Sequence, residues 1–239
     1  MEIMTEEKVN NSATAVQIPR VSRGYLVGKW CFDRISSLLA SIMLLVPMAV
    51  LALVVVIMDP GAPIYVQTRV GKDGKPLRLY KFRSMKRGAD HLEQMLTPEQ
   101  LEEYHREYKL ADDPRLLGYQ KPGDSKKCFG AVLRRTSMDE LPQILFNILI
   151  RGDMSVVGPR PILPEELAEN YTPEEQAILL SAKPGLTGYW QAYARNNAVY
   201  ANRERQAMEL YYVRNRSFRL DIKIILHTVV SVLRKDGAK

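Results

Sequence analysis

The sequence predicts an α+β protein, mostly helical, attached to a membrane through one apolar segment near its N-terminus. Three observations carry this reading. Residues 35–58 (ISSLLASIMLLVPMAVLALVVVIM) hold no charge. Much of the remaining chain has helical composition divided by capping residues and prolines, with one hairpin signal, an Asp-Gly pair between two strand-like runs. The totals, 239 residues with 46% apolar and 26% charged side chains, suit a folded chain with a real core and exclude wholesale disorder.

The formal net charge of +7 suits an anionic lipid surface, phosphorylated substrates or nucleic acid. The basic residues are spread along the chain without a nucleic-acid-binding signature, so no nucleic-acid partner is expected. The two cysteines, Cys31 and Cys128, form neither metal-ligand spacing nor a disulfide framework and read as inert.

Taken in order, residues 1–22 are polar and aperiodic, a mobile tail. Residues 24–34 (GYLVGKWCFDR) mix aromatic and basic side chains, and Tyr25 and Trp30 suit a headgroup-level anchor. The apolar run would extend roughly 36 Å as a straight helix, long enough to cross a bilayer. Pro47 near its middle removes a backbone hydrogen bond. Both flanks are basic: Arg20, Arg23, Lys29 and Arg34 before, Arg69, Lys72, Lys75 and Arg78 after. Positive charge stays cytoplasmic, so both ends carry the cytoplasmic label. A helix that enters, breaks at Pro47 and returns satisfies both facts; a plain span and a buried core helix are the competing readings.

Residues 64–70 and 77–82 flank Lys72-Asp73-Gly74-Lys75, where Asp-Gly supplies the positive φ of a tight hairpin turn. Residues 89–110 read as helix interrupted at Thr97-Pro98, with Thr97 as cap and Pro98 as first helical residue. A loop of Pro, Gly and charge fills 112–127. Residues 141–150 read as a short apolar helix stopped by Gly152, and Thr172-Pro173-Glu174-Glu175 as a helix start. Two terminal helices are expected over 202–213 and 218–233, the last with an apolar face edged by cations that fits either a membrane interface or the core.

The chemistry concentrates in residues 133–161. Asp139 and Glu140 are adjacent carboxylates at what reads as a helix N-terminus, with Arg134 and Arg135 upstream and Gly158-Pro159-Arg160-Pro161 downstream. Ser137-x-x-Glu140 matches a capping box, in which both acids would be dipole-favoured caps and nothing more. Pro142 would disrupt that register, whereas a helix starting near Glu140 leaves Asp139 at its mouth. Either register favours ionised carboxylates, and an ionised aspartate is a nucleophile toward phosphorus. Arg160, braced by two prolines, offers a planar fork for phosphate oxygens. Lys81 and Arg83, at the end of the second strand, are further phosphate candidates. Residues 185–195 (GLTGYWQAYAR) bring Gln191 and Arg195 for a nucleobase or sugar, with core packing of Tyr189 and Trp190 the alternative.

The segments KFRSM (81–85), LRRTSMDELPQ (133–143), RGDMSVVGPRP (151–161) and PGLTGYWQ (184–191) resemble the bacterial sugar transferase family, over roughly residues 24–233. Its members are monotopic polyprenyl-phosphate phosphoglycosyl transferases that initiate glycan assembly, and this chain resembles their small catalytic-core form. The resemblance implies a compact α+β unit, mostly helical, with a small hairpin, amphipathic interfacial helices and a first helix that is re-entrant. The chain then divides into a tail (1–22), a re-entrant membrane helix (23–59) and a catalytic domain (60–235) on the cytoplasmic face of the bacterial inner membrane.

The implied reaction has two steps. The aspartate matching Asp139 attacks the sugar-linked phosphorus of a UDP-sugar and releases UMP; undecaprenyl phosphate then takes the sugar-phosphate from the enzyme. Glu140 matches the proton-handling member of the pair. Mg²⁺ is implied near Asp139, and Arg134 and Arg160 match phosphate-holding positions. Membrane lipids and downstream glycosyltransferases are the implied partners. This chain departs from the family in having Val46-Pro47 for Ser-Pro, Ala194-Arg195 for Gly-Arg, and an insert around 119–127. Two other readings use the same residues: a silent membrane adaptor that binds lipid phosphate, and a diphosphate hydrolase with water as acceptor. Retention of Asp139, Glu140, Arg134 and Arg160 together speaks against silence.

Overall fold

The computed structural model describes residues 18–107, 110–194 and 203–234. Helix α1 (Arg23–Met58) is capped by Ser22, whose hydroxyl accepts from the Tyr25 N–H, and contains Pro47. Helical backbone continues on both sides of Pro47, so any change of direction occurs within a continuous helix and not across a gap.

The polarity of α1 is inverted relative to a core helix. Asp33, Ser37, Ser41, Met48 and Val55 are buried, whereas Met43 is 74% exposed, Ile42 67% and Val46 69%. Only 17% of its most apolar window is buried, which rules out the buried-core reading. Among the described helices it alone is long and apolar enough to cross a membrane. The inward side chains are anchored by a polar network. Asp33 accepts the Val156 N–H at 3.1 Å, and Lys29 lies 3.4 Å from Asp33 and 3.3 Å from Asp221. Tyr25 donates to Asp221 at 2.9 Å and meets Phe218 edge-on. Tyr25 is therefore buried, a correction to its expected place at the headgroups; Trp30 is the exposed aromatic. The far end of α1 is seated on the same unit: Val55 packs with Leu117 and Leu133, and Asp59 pairs with Arg83 and Arg87.

Strands β1 (Ile64–Val70) and β2 (Pro76–Phe82) form the expected antiparallel hairpin, with Ile64 opposite Phe82 and Val70 opposite Pro76. Its turn has positive φ at both Asp73 (58°) and Gly74 (74°), as Asp-Gly predicts. Helices α2 (Leu92–Met95) and α3 (Pro98–Glu107) follow. Thr97 and Gln100 cap α3 reciprocally, Thr97 Oγ1 accepting the Gln100 N–H and Gln100 Oε1 the Thr97 N–H. The charged loop beyond is organised by Asp112, which accepts from Tyr119 Oη, Gly123 N and Ser125 N.

Helix α4 (Phe129–Arg135) was not legible in the sequence, and Arg134 and Arg135 form its last turn. The apolar run that follows is a helix, as expected, but of π type over Ile144–Arg151, closed by Gly152 at φ 65°. Asn147 explains its placement. Fully buried, it accepts the Tyr80 N–H at 3.2 Å and donates to Arg78 O at 2.7 Å and Asp153 Oδ1 at 3.1 Å. One side chain thus serves as a missing neighbour for the free edge of β2.

Strands β3 (Ser155–Val157) and β4 (Gly185–Thr187) pair in parallel, a second small sheet that the sequence reading missed. Between them lie α5 (Pro164–Asn170) and α6 (Pro173–Leu179), the latter opened by the expected Thr172 cap. Helices α7 (Tyr189–Tyr193), α8 (Glu204–Asn215) and α9 (Phe218–Arg234) complete the chain. The main core joins Val157, Ile162, Leu167, Tyr171, Leu179, Leu210, Tyr212, Val213 and Ile224. Helix α9 satisfies both readings offered for it: Asp221 and Ile224 face inward, whereas Ile222, Leu226, Val229 and Val230 are exposed.

Replacing Asn147 with Ala strands three polar groups on or beside β2. The expected cost is about 2–4 kcal/mol of unfolding free energy, read from denaturant melts in detergent; an unchanged midpoint would show that the strand edge is satisfied some other way.

Candidate active site

The bond between Asn147 and β2 also sets where the charges meet. It holds β2 against the segment that follows Glu140, and Lys81 Nζ reaches Glu140 Oε1 at 2.8 Å. Met138–Glu140 is a single 3₁₀ turn entered through Ser137 in left-handed conformation (φ 56°), and Ser137 makes no side-chain cap bond. The capping-box reading of Glu140 therefore fails: its carboxylate faces Lys81. As the alternative register required, the helix starts beyond Glu140, so the pair sits at its mouth.

Asp139 is 7% exposed. Burial pushes its carboxyl up to about 6, with Glu140 adding to the rise while Lys81 and Arg134 hold it down. At neutral pH it is mostly ionised, and those two cations keep it so. Arg134 itself is exposed at the end of α4.

A small open cleft lies beside Glu140, walled by Arg69, Leu79, Lys81, Glu140, Gln143, Arg160, Pro161, Gly185, Leu186 and Gln191; Asp139 and Arg134 do not line it. Four expected site residues, Lys81, Glu140, Arg160 and Gln191, come together here. Their convergence depends on close backbone contact between the β3 and β4 ends. A Cβ on Gly185 would fall inside the Gly158 backbone, and one on Gly158 inside residues 183–185. Only glycine permits that approach. It brings the 158–161 loop beside α7, where Arg160 lies over the Trp190 ring at 5.7 Å. Arg205 lies over the same ring at 4.3 Å. Glu166 sits among Arg69 (3.9 Å), Arg160 (3.6 Å) and Arg205 (3.4 Å), leaving a cationic excess around the cleft.

Gln143 Nε2, Gln191 Oε1 and Trp190 Nε1 are buried without hydrogen-bond partners among the described residues. Such groups are costly unless something polar meets them.

Arg83 stands apart from this assembly. It is buried, pairs with Asp59 at 3.0 Å and bonds the Asp59 carbonyl, tying the hairpin to the end of α1. Arg195 lies outside the described residues. Gln143, Glu166 and Arg205 were not singled out from the sequence, and Arg69 figured there only as a cation flanking the apolar run. Gln143 could have been, since it ends the 133–143 motif; the arginines and Glu166 are ordinary surface charges until folding gathers them.

Among the described residues no three His, Cys, Asp or Glu side chains cluster as a metal site. Mg²⁺ keeps several waters and takes one or two carboxylates together with substrate phosphates, so the Asp139 and Glu140 pair fits it as a substrate-borne ion.

Comparison with known proteins gives the same direction. The family model described as bacterial sugar transferase matches residues 24–235. The chain is 40% identical over 213 residues to the UDP-galactose-lipid carrier transferase of Erwinia amylovora, covering 88% of this chain and 41% of that protein. It is 39% identical over 211 residues to the undecaprenyl-phosphate galactose phosphotransferase of Salmonella typhimurium, with 86% and 41% covered. The chain thus spans about two-fifths of the length of these two relatives. The exopolysaccharide production protein ExoY of Sinorhizobium fredii is 38% identical over 216 residues, covering 89% of this chain and 88% of that protein. With that family model matching nearly the whole chain, the chain belongs to the bacterial sugar transferase family.

Proposed function

We propose that this protein is a phosphoglycosyl transferase that moves a sugar-1-phosphate from a UDP-sugar to undecaprenyl phosphate, the first membrane step of a bacterial polysaccharide. One observation carries the reading: buried Asp139, in the field of Lys81 and Arg134, immediately precedes Glu140 on the wall of a cationic cleft. An Asp139 carboxylate oxygen attacks the sugar-linked phosphorus, and the bond from that phosphorus to the oxygen bridging it to UMP breaks. The leaving UMP takes that oxygen with its electron pair. Undecaprenyl phosphate then attacks the same phosphorus, the aspartyl–phosphorus bond breaks, and the carboxylate is restored.

Lys81 and Arg134 favour the ionised nucleophile, and Glu140, paired with Lys81, is proposed to orient it and to handle protons. Arg69 and Arg160 supply the charge that a diphosphate requires. Asp139, with Glu140 beside it, would hold Mg²⁺, which offsets the negative charge of the diphosphate. Arg195 is proposed as a further substrate contact on its sequence position alone. Arg83 keeps its place among the phosphate candidates only through the sequence, since its guanidinium is committed to Asp59.

The exposed apolar faces of α1 and α9 support seating at the cytoplasmic face of the inner membrane. Both ends of α1 rest on one folded unit, which supports a re-entrant helix turned at Pro47 over a full crossing. A straight helix of this length would measure roughly 54 Å, against about 30 Å of bilayer hydrocarbon.

Asp139→Asn is expected to abolish both UMP release and lipid product in an assay with UDP-sugars, Mg²⁺ and undecaprenyl phosphate. Turnover near that of the wild type would sink the nucleophile assignment. Lys81→Met removes the chief cation acting on Asp139 and the partner of Glu140. A loss of about 10²-fold in kcat/KM is expected, and an effect below threefold would deny Lys81 its role. For topology, cysteines introduced as Ile3→Cys and Lys75→Cys are expected to label from the cytoplasmic side only. Pro47→Ala is expected to send one of them across; same-side labelling in that variant would show that Pro47 does not turn the chain.

A further inference from the structure

The 158–161 loop is tied to β4 at its start, where the Gly158 N–H donates to the Thr187 carbonyl and the Pro159 carbonyl accepts the Gly185 N–H, both at 2.9 Å, but it has few bonds beyond that point. Neither Pro159 nor Pro161 carries an N–H, so between them the backbone offers a single donor, that of Arg160. Glu209 Oε2 accepts it at 3.1 Å from helix α8. Glu209 is 2% exposed, and its other oxygen, Oε1, has no hydrogen-bond partner among the described residues.

This is an expensive way to hold a loop. A buried carboxylate loses several kcal/mol of hydration, whereas a backbone carbonyl or a glutamine would accept the same N–H at lower cost. The acid sits directly behind the arginine that faces the cleft. Arg160 is thereby held in three ways: its backbone by Glu209, its guanidinium by Glu166, and its charge over the Trp190 ring.

We propose that Glu209 is a positioning residue for the cleft, fixing Arg160 through the one N–H of the Pro159-Arg160-Pro161 segment so that the guanidinium meets the diphosphate of the donor. The inference rests on the reading of Arg160 as a donor ligand.

The charged surroundings of Glu209 give the proposal a signature that packing alone would lack. Arg160 faces it from the loop and Glu166 from α5, and Tyr171, at the end of α5, feels its charge. Helix α6, packed on α8, brings Glu175, which is paired with Arg203; helix α7 brings Gln191 and the phenols of Tyr189 and Tyr193 but no carboxylate or basic side chain. Burial pushes the Glu209 carboxyl up to about 7, against the Arg160 N–H and guanidinium, which hold it down. An anion bound at Arg160 cancels that field and favours the protonated acid. By reciprocity the donor binds the protonated form more tightly. Its KM therefore rises as pH climbs through about 7.

The test uses the full chain in detergent or lipid. It pairs hydrogen exchange of a peptide covering residues 158–161, whose two amides are those of Gly158 and Arg160, with donor kinetics from pH 6 to 9. Glu209→Ala is expected to speed exchange of the second amide about tenfold or more. It should also raise donor KM about tenfold while kcat changes less than about threefold. Glu209→Gln retains an acceptor and should keep wild-type protection and kcat, but its KM should lose the rise through about pH 7. Wild-type protection in Glu209→Ala, or wild-type pH dependence in Glu209→Gln, overturns the proposal. Faster exchange with unchanged KM would show that Glu209 holds the loop but that Arg160 does not bind the donor, overturning the cleft reading on which the proposal stands.

Discussion

The architecture turns on one buried amide. A two-stranded hairpin is marginal by itself, because each strand keeps an unpaired edge. Asn147 removes that weakness on the side that matters, taking the Tyr80 N–H and the Arg78 carbonyl. Because Asn147 belongs to the helix after the Asp139-Glu140 turn, the same contact fixes how far Lys81 stands from Glu140. The widened π turn is consistent with that task, since π segments recur where a helix must reposition a side chain for a site. Fold stability and site geometry are here one constraint.

A second constraint runs from α1 into the cleft. Asp33 takes the Val156 N–H, Val157 pairs with Thr187, and Gly158 follows directly into the arginine loop. Tyr212 Oη lies 3.0 Å from the Val157 carbonyl and 2.9 Å from Asp221, whose other oxygen accepts from Tyr25. Burial pushes the Asp221 carboxyl up, while Lys29 and the two tyrosine hydroxyls favour its ionised form. The charge is tolerated because three donors meet it. Over its first half α1 turns apolar side chains outward and holds this polar lattice inward, the reverse of a soluble core, whereas α9 buries Asp221 beside the core residue Ile224 and exposes both apolar and basic side chains.

Local rules made much of this legible. The Asp73-Gly74 turn, the Thr97 and Thr172 caps and the Gly152 stop each depend on residues a few positions apart, and each formed where expected. The Asp139-Glu140 pair and Arg160 stood out because proline and paired charge are unusual in sequence. What stayed hidden depends on distant partners. Residues 155–157 and 185–187 are too short to announce a parallel pair, and α4 lacks a side-chain cap. Glu166 and Glu209 become meaningful only when α5 and α8 lie against the arginine loop. Tyr25 was misplaced because an aromatic beside basic residues suits an interface until Asp221 supplies a buried partner.

The lattice beneath α1 limits where this protein can be cut. The sequence marks a boundary near Asp59, where the apolar run ends and mixed composition begins. Energetically there is none. Removal of residues 23–59 would take Asp33 from Val156, Lys29 and Tyr25 from Asp221, and Asp59 from Arg83, opening buried donors and acceptors along one flank. The segment that looks like a detachable anchor is a wall of the folded unit, with its greasiest part bound in through polar contacts at both ends.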